Sequence, residues 1–256
     1  MTAQSSRSDD LSRSRPHPPL PGYYAGADKR RGFVRDIFNH TAPDYDRVER
    51  LLAFGSGAWY RRRALTRAGL VPGMQVLDVA TGTGLVAREA ALLAGETGRV
   101  IGLDPSVGML TEAKRALALQ AILGRAEQLP VRNASFDFLS MGYALRHVAD
   151  LDNTFREYFR VLKPGGRACL LEITRPRGRL ALLCLRLYMK GIVPALTRLL
   201  TRRPETARLM EYYWDTIAAC VPPETILAAL ARAGFTDVQR HTELGIFTRY
   251  VGSKPI

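Results

Sequence analysis

The feature that most constrains this chain is a strand that breaks into a glycine turn and restarts as a helix. Gln75-Val76-Leu77-Asp78-Val79-Ala80 is a short apolar run, Thr81-Gly82-Thr83-Gly84 follows, and Leu85 to Leu93 resumes with helical spacing. Such a unit buries its strand only beside parallel neighbours, and the rest of the pattern supplies them. Arg99 to Asp104 predicts a second strand with a helix over 106–119, Ala121 to Leu123 a third, Phe136 to Met141 a fourth, then a helix over 153–161 and a fifth strand over 167–172. Strands alternating with helical crossovers specify a Rossmann-like, doubly wound α/β sheet that is mostly parallel. After a helix over 223–233, Phe235 to Thr242 and Gly245 to Val251 predict an antiparallel hairpin at one edge.

The flanks differ from this repeat. Residues 1–28 are rich in Ser, Arg and Pro, include Arg15-Pro16-His17-Pro18-Pro19, and carry too little apolar surface to order themselves, so a disordered basic tail is expected. One domain over 29–256 follows, since 256 residues at 46% hydrophobic composition suffice for a single core and no linker divides them. From Gly32 to Ala68 the spacing is helical, with breaks expected near Ala42-Pro43 and Phe54-Gly55, and predicts a helical cap ahead of the sheet. Residues 175–215 read as a basic, apolar helical insertion.

Thirty-seven Lys and Arg against 24 Asp and Glu leave a net charge of +13, which favours anionic partners such as phospholipid headgroups, nucleic acid or acidic metabolites. Cys169, Cys184 and Cys220 form no C-x-x-C pair, so neither a disulfide framework nor a metal site is expected. No secretory signal and no apolar run of about 20 residues is apparent, which predicts a cytoplasmic setting, at most peripheral on the inner face of a membrane.

A glycine turn between strand and helix lets backbone amides approach a ligand, and the helix N-terminus adds partial positive charge. Gly82 and Gly84 fit that use, yet Gly82-Thr83-Gly84-Leu85-Val86-Ala87 also matches the nicotinamide-type G-x-G-x-x-A pattern with Asp104 about 20 residues on. Asp78 shifts the balance. A carboxylate at the end of the first strand pairs with a cationic methionyl amino group but repels a pyrophosphate, which favours S-adenosylmethionine. Asp104, closing the second strand, is placed to accept the two hydroxyls of a ribose; each aspartate has an ordinary loop-capping alternative.

Downstream, Ala126-Glu127-Gln128-Leu129-Pro130, Ser135-Phe136-Asp137, Gly142-Tyr143-Ala144-Leu145-Arg146-His147-Val148 and Arg160-Val161-Leu162-Lys163-Pro164-Gly165-Gly166-Arg167 occur in that order. With Ala42-Pro43-Asp44-Tyr45-Asp46 upstream and Ala233-Gly234-Phe235 near the end, the chain resembles the ubiquinone/menaquinone biosynthesis C-methyltransferase family over nearly everything after its first 28 residues. The resemblance implies a class I methyltransferase fold, S-adenosyl-L-methionine as methyl donor, and carbon methylation of a lipophilic, quinone-type acceptor. By matching positions it assigns Thr83, Asp104, Arg125, Ala126 and Gly142 to the cofactor and Arg146 to the acceptor. Here Ala80 stands at a common glycine, Gly142 at a common serine and His147 at a common asparagine. The acceptor side departs more than the cofactor side.

For aromatic carbon methylation, Arg146 would stabilise a phenolate and His147 would accept a proton, although a packing role for His147 competes. Tyr45, Tyr143 and Glu172 are further candidates at the sheet's mouth. Between Arg175 and Arg203, eight cations alternate with leucines and no carboxylate intervenes, a pattern suited either to an anionic membrane surface or to core packing with a solvated basic face. Two rival activities stay open: O- or N-methylation of another lipophilic molecule, and noncatalytic binding of nucleic acid or membrane. Nothing beyond charge supports nucleic acid, because the basic run is interleaved with aliphatics where base stacking wants aromatics.

Overall fold

The computed structural model describes residues 15–52, 55–201 and 204–256. Two helices, α1 (Ala27–Leu52) and α2 (Gly57–Arg67), precede the alternating core of β1 (Gln75–Val79), α3 (Leu85–Ala94), β2 (Arg99–Asp104), α4 (Val107–Ala116), β3 (Gln120–Leu123), β4 (Phe136–Gly142), α5 (Leu151–Val161) and β5 (Leu162–Ile173). Then come α6 (Arg179–Leu187), a π-helical turn (Tyr188–Ile192), α7 (Val193–Thr201), α8 (Pro204–Ala219), α9 (Pro223–Arg232), β6 (Thr236–Glu243) and β7 (Phe247–Ser253).

The seven strands lie in the order β3-β2-β1-β4-β5-β7-β6, with β1 to β5 parallel and β7 antiparallel to both β5 and β6. Chain order reverses between β1 and β4. In open α/β sheets the crevice at such a reversal, beyond the carboxyl ends of the strands, is where ligands settle. The sheet is buried on both sides. Leu77, Val79, Leu139 and Met141 pack toward α5 and α9 through Phe155, Tyr158 and Leu230, while Val76, Phe138, Cys169 and Leu171 meet α2 and α3 through Leu65, Val86 and Ala90. A third cluster, with Ile37, Val48, Met189, Leu209 and Trp214, joins α1 to the α6–α8 region above the strand ends.

Four expectations need correction. Residues 15–26, expected in a disordered tail, pack on the domain: His17 is 1% and Tyr24 5% exposed. The tail reading missed that two tyrosines, Tyr23 and Tyr24, seat against Phe33 and anchor the prolines. Pro43 does not break α1, because the buried contacts of Ile37, Ala42 and Val48 outweigh one lost amide bond. On the second expected break, Phe54 lies outside the described residues, and α1 ends at Leu52 before α2 begins at Gly57. The fifth strand starts at Leu162 rather than Arg167, running through Lys163-Pro164-Gly165-Gly166. Finally, Arg179–Leu199 forms a stretch long and apolar enough, by length and composition, to cross a membrane, the cations being spread too thinly to interrupt it.

Candidate active site

The cofactor side is built from strand ends and the turns that follow them. A cleft of about 790 Å³ opens there, within the roughly 300–1,000 Å³ typical of ligand sites. Its floor includes Ala80, Pro105 and Met141, its far wall is Leu123 to Glu127, and α1 covers it with Gly32, Val34, Arg35 and Asn39.

Beneath the cleft, Asp78 is fully buried, and its two oxygens accept the hydroxyls of Thr81 and Ser140, each at 2.6 Å. Strand register explains the second bond, since Asp78 pairs with Ser140 across β1 and β4. Asp78 thus clamps the glycine turn, and the bond from Ser140 is a structural contact that the sequence reading did not include. Asp104 flanks the floor, accepting the Gly82 amide at 2.9 Å on one oxygen and the Ser106 amide at 2.8 Å on the other. Each oxygen keeps a lone pair for a ligand hydroxyl. Burial lifts both carboxyls to about 6, opposed at Asp78 by Ser140, Thr81 and the Ala87 amide and at Asp104 by the Ser106 and Gly82 amides.

Backbone conformation accounts for the turn's composition. Gly82 and Gly84 have φ of 58° and 87°, and a β-carbon at Gly84 would stand 3.0 Å from Leu117, whereas one at Gly82 would meet nothing within 4 Å. Ala80, too, has φ of 54°, a left-handed conformation that costs a non-glycine residue roughly 1–2 kcal/mol. That is why the position favours glycine. Thr83, assigned to the cofactor by resemblance, donates its hydroxyl to Asp46 of α1 and ties the turn to the cover. Arg125 is exposed and bonds Gln128, while the buried Ala126 lines the cleft. Gly142 does not line it; a β-carbon there would lie 2.5 Å from Val86 Cγ2, so packing against α3 excludes the serine common at this position. Asn39, which sequence reading passed over, accepts Ser106 Oγ at 2.6 Å and the Gly108 amide at 3.0 Å, fastening α1 to the start of α4.

The acceptor side is assembled from distant segments. A cavity of about 130 Å³ is lined by Tyr45 and Glu49 of α1, Tyr60 of α2, Tyr143 and Arg146 after β4, and Leu185, Tyr188, Met189 and Tyr213 from α6 to α8. Arg146 is 1% exposed. Its Nη1 donates to both oxygens of Glu172 at 2.7 Å, its Nε to Thr216 at 3.2 Å, and its guanidinium lies 5.3 Å from the Tyr213 ring centre. Burial pushes the Glu172 carboxyl up despite Arg146, and Glu172 in turn holds Arg146 protonated against desolvation. Tyr45 and Tyr213 share a 2.8 Å hydroxyl contact, and burial raises both phenols.

One short turn joins the two sides. Tyr143, at φ of 59°, and Arg146 face the acceptor cavity, whereas Ala144 and His147, one residue on in each case, line the cleft. His147 stacks between Tyr212 and Tyr213 with both ring nitrogens shielded and without partners among the described residues. Burial and the Arg146 charge hold its pKa well below the usual histidine value, so the ring is neutral.

The residues present fit S-adenosylmethionine: a buried aspartate with spare acceptor capacity, an open Cβ direction at Gly82, and a roofed cleft at the chain-order reversal. The profile of the ubiE/COQ5 methyltransferase family matches residues 25–254. A relative from Geobacter sulfurreducens named ubiquinone/menaquinone biosynthesis C-methyltransferase UbiE is 34% identical over 229 residues, covering 86% of this chain and 88% of its own length. A demethylmenaquinone methyltransferase from Lactococcus lactis is 33% identical over 214 residues, covering 80% and 83%. Among solved structures, a methyltransferase dependent on the same cofactor from Aquifex aeolicus superposes with a TM-score of 0.55 at 19% identity, covering 75% of this chain and 88% of that one, a likeness of fold.

Proposed function

We propose that this chain, which belongs to the ubiE/COQ5 methyltransferase family and is an S-adenosylmethionine-dependent methyltransferase, methylates a ring carbon of a lipophilic, quinone-type phenol. The observation that carries the reading is an apolar cavity lined by tyrosines, with one buried guanidinium, separated from the cofactor cleft by the single turn 143–147. Asp104, the Gly82 turn, Ala126 and the α1 cover would hold the cofactor, which when bound supplies an electrophilic methyl group on a sulfonium.

The protein's own part is placement and charge. Arg146 spends Nη1 on Glu172 and Nε on Thr216, leaving the Nη2 hydrogens to bind an acceptor oxygen and favour its phenolate form. That charge raises the nucleophilicity of the adjacent ring carbon. The methylated ring carbon must then lose its proton, and neutral His147, at the cleft side of the same turn, would take it. Its low basicity suffices, because a proton on a dearomatised ring carbon is strongly acidic. Walls of Tyr143, Tyr45 and Tyr213 exclude water and align the ring.

Size supports a single ring, since a cavity of about 150 Å³ holds a benzene and this one has about 130 Å³. An attached isoprenoid tail would leave past Leu185, Tyr188 and Met189. On the outside of the same segment Leu180, Leu183, Leu187 and Leu199 are at least half exposed, interspersed with Arg179 and Arg186, while Lys190 and Arg198 pair with Asp215 and Glu211. This basic apolar face supports peripheral contact with an anionic membrane, from which the acceptor would be drawn at the cytoplasmic side. Comparing lipid extracts of cells with and without the gene tests the reading. Loss of a methylated quinone and gain of the species lighter by one methylene are expected, and an unchanged quinone pool would refute it.

A further inference from the structure

The reaction leaves one polar cavity unused. It has a volume of about 220 Å³ and lies between the N-terminal segment and the start of α1, lined by Arg15, His17, Tyr24, Arg30, Arg31 and His147, with Pro19 and Ala149 completing the wall. At about 30 Å³ per water, that is space for roughly seven waters, or for a tetrahedral anion with a small organic substituent.

Its charge is one-sided. Arg30 is 5% exposed, yet its guanidinium meets no carboxylate among the described residues: Nη2 donates to the Arg146 carbonyl at 2.6 Å and contacts His17 Nε2 at 2.9 Å, and Nε has no partner. His17 cannot supply the missing charge. Its Nδ1 lies 2.6 Å from the Pro18 carbonyl and so carries the hydrogen, leaving Nε2 to accept from Arg30; burial together with Arg30 pushes its pKa to about 4. Half-buried Arg15 and exposed Arg31 add two cations at the rim. Arg30 also occupies the first turn of α1, with Arg31 directly after it, where the helix dipole disfavours cations. Arg146, by contrast, has Glu172. A buried cation lacking such a partner is strongly disfavoured, so the arrangement calls for an anion from outside the chain. The Tyr24 hydroxyl and both His147 nitrogens are shielded and without partners here as well.

We propose that this cavity is a binding site for a small oxyanion of the phosphate or phosphate-monoester class, held by Arg15, Arg30 and Arg31. Three arginines line one small space, and planar paired N–H donors match the oxygens of a phosphoryl group. The site is independent of which acceptor is methylated. It adjoins the cofactor cleft, sharing Arg31 and His147 with it, and Arg30 holds the backbone of the turn that carries Arg146.

Calorimetric titration of the full chain in phosphate-free buffer, first with inorganic phosphate and then with glycerol phosphate, tests this. Saturable binding of one equivalent is expected. Arg15→Ala, which removes a rim charge outside the cofactor cleft, should weaken it about tenfold while leaving S-adenosylhomocysteine affinity and the circular dichroism spectrum unchanged. Arg30→Lys, keeping the charge but losing the fork, should weaken it without unfolding the protein. Tighter binding of the ester identifies an organic phosphate and tighter binding of the free ion an inorganic one; either upholds the site. No saturable binding of either, an affinity unaffected by Arg15→Ala, or displacement of the anion by S-adenosylhomocysteine would each overturn it.

Discussion

The cofactor half and the acceptor half of this site are made differently. On the cofactor side, Asp78, Gly82, Thr83, Gly84 and Asp104 sit within 27 residues of one another at the ends of two adjacent strands, and backbone amides make both bonds to Asp104. On the acceptor side, Tyr45, Arg146, Glu172 and Tyr213 come from four separate parts of the chain, and side-chain contacts unite them. The first half tolerates changed neighbours because its geometry is local. The second depends on the Tyr45–Tyr213 contact, made across 168 residues of sequence, and on the buried Arg146–Glu172 ion pair.

The sharpest break should therefore come from that pair. Glu172→Ala leaves Arg146 as an uncompensated buried charge and should cost about 3–5 kcal/mol of stability, read by chemical denaturation, with methyl transfer lost. A loss below about 1 kcal/mol, the range of exposed pairs, would mean that water already screens the pair. Next is pH, which acts on the cofactor half. Asp78 and Asp104 titrate near 6 in the folded protein against an ordinary 3.8, so the folded state binds these protons more tightly than the unfolded chain. Their stabilising contribution is complete below 3.8 and disappears as pH rises through 6, worth about 3 kcal/mol per group at most. Ligand binding runs the other way: S-adenosylhomocysteine, whose ribose hydroxyls would donate to ionised Asp104, should bind more weakly at pH 5 than at pH 7. Affinity that rises on acidification would contradict the assignment.

Smaller effects separate local strain from packing. Gly142→Ser should cost about 1–3 kcal/mol by pressing on Val86, and Val86→Ala in the same chain should return part of it. If the serine is tolerated alone, the β4–α3 contact is looser than the structure indicates. Ala80→Gly should raise stability by no more than about 1 kcal/mol, because relief of the left-handed strain is partly offset by the freer unfolded chain. Thermal melts of the two proteins decide it.

This contrast also explains what could be read from sequence. The sheet, its edge hairpin and the glycine turn follow from periodicities that repeat over a few residues, and they stand where they were expected. Arg146 was found through a motif, but its partner Thr216 and the Tyr45–Tyr213 contact have no local signature. The bond from Ser140 to Asp78 had no local signature for the same reason: Ser140 reaches it only through the pairing of β1 with β4. The packed segment 15–26 escaped notice because proline-rich composition hid two anchoring tyrosines. Asn39 carried no chemical motif and shows its role only once α1 lies over α4.

Calorimetric titration of the full chain with S-adenosylhomocysteine, alongside Asp104→Ala, tests the central claim most directly. The account predicts one equivalent bound by the native chain and an affinity reduced about a hundredfold or more when the carboxylate proposed to accept the ribose hydroxyls is removed. Absence of binding, or equal affinity in the two proteins, would contradict it.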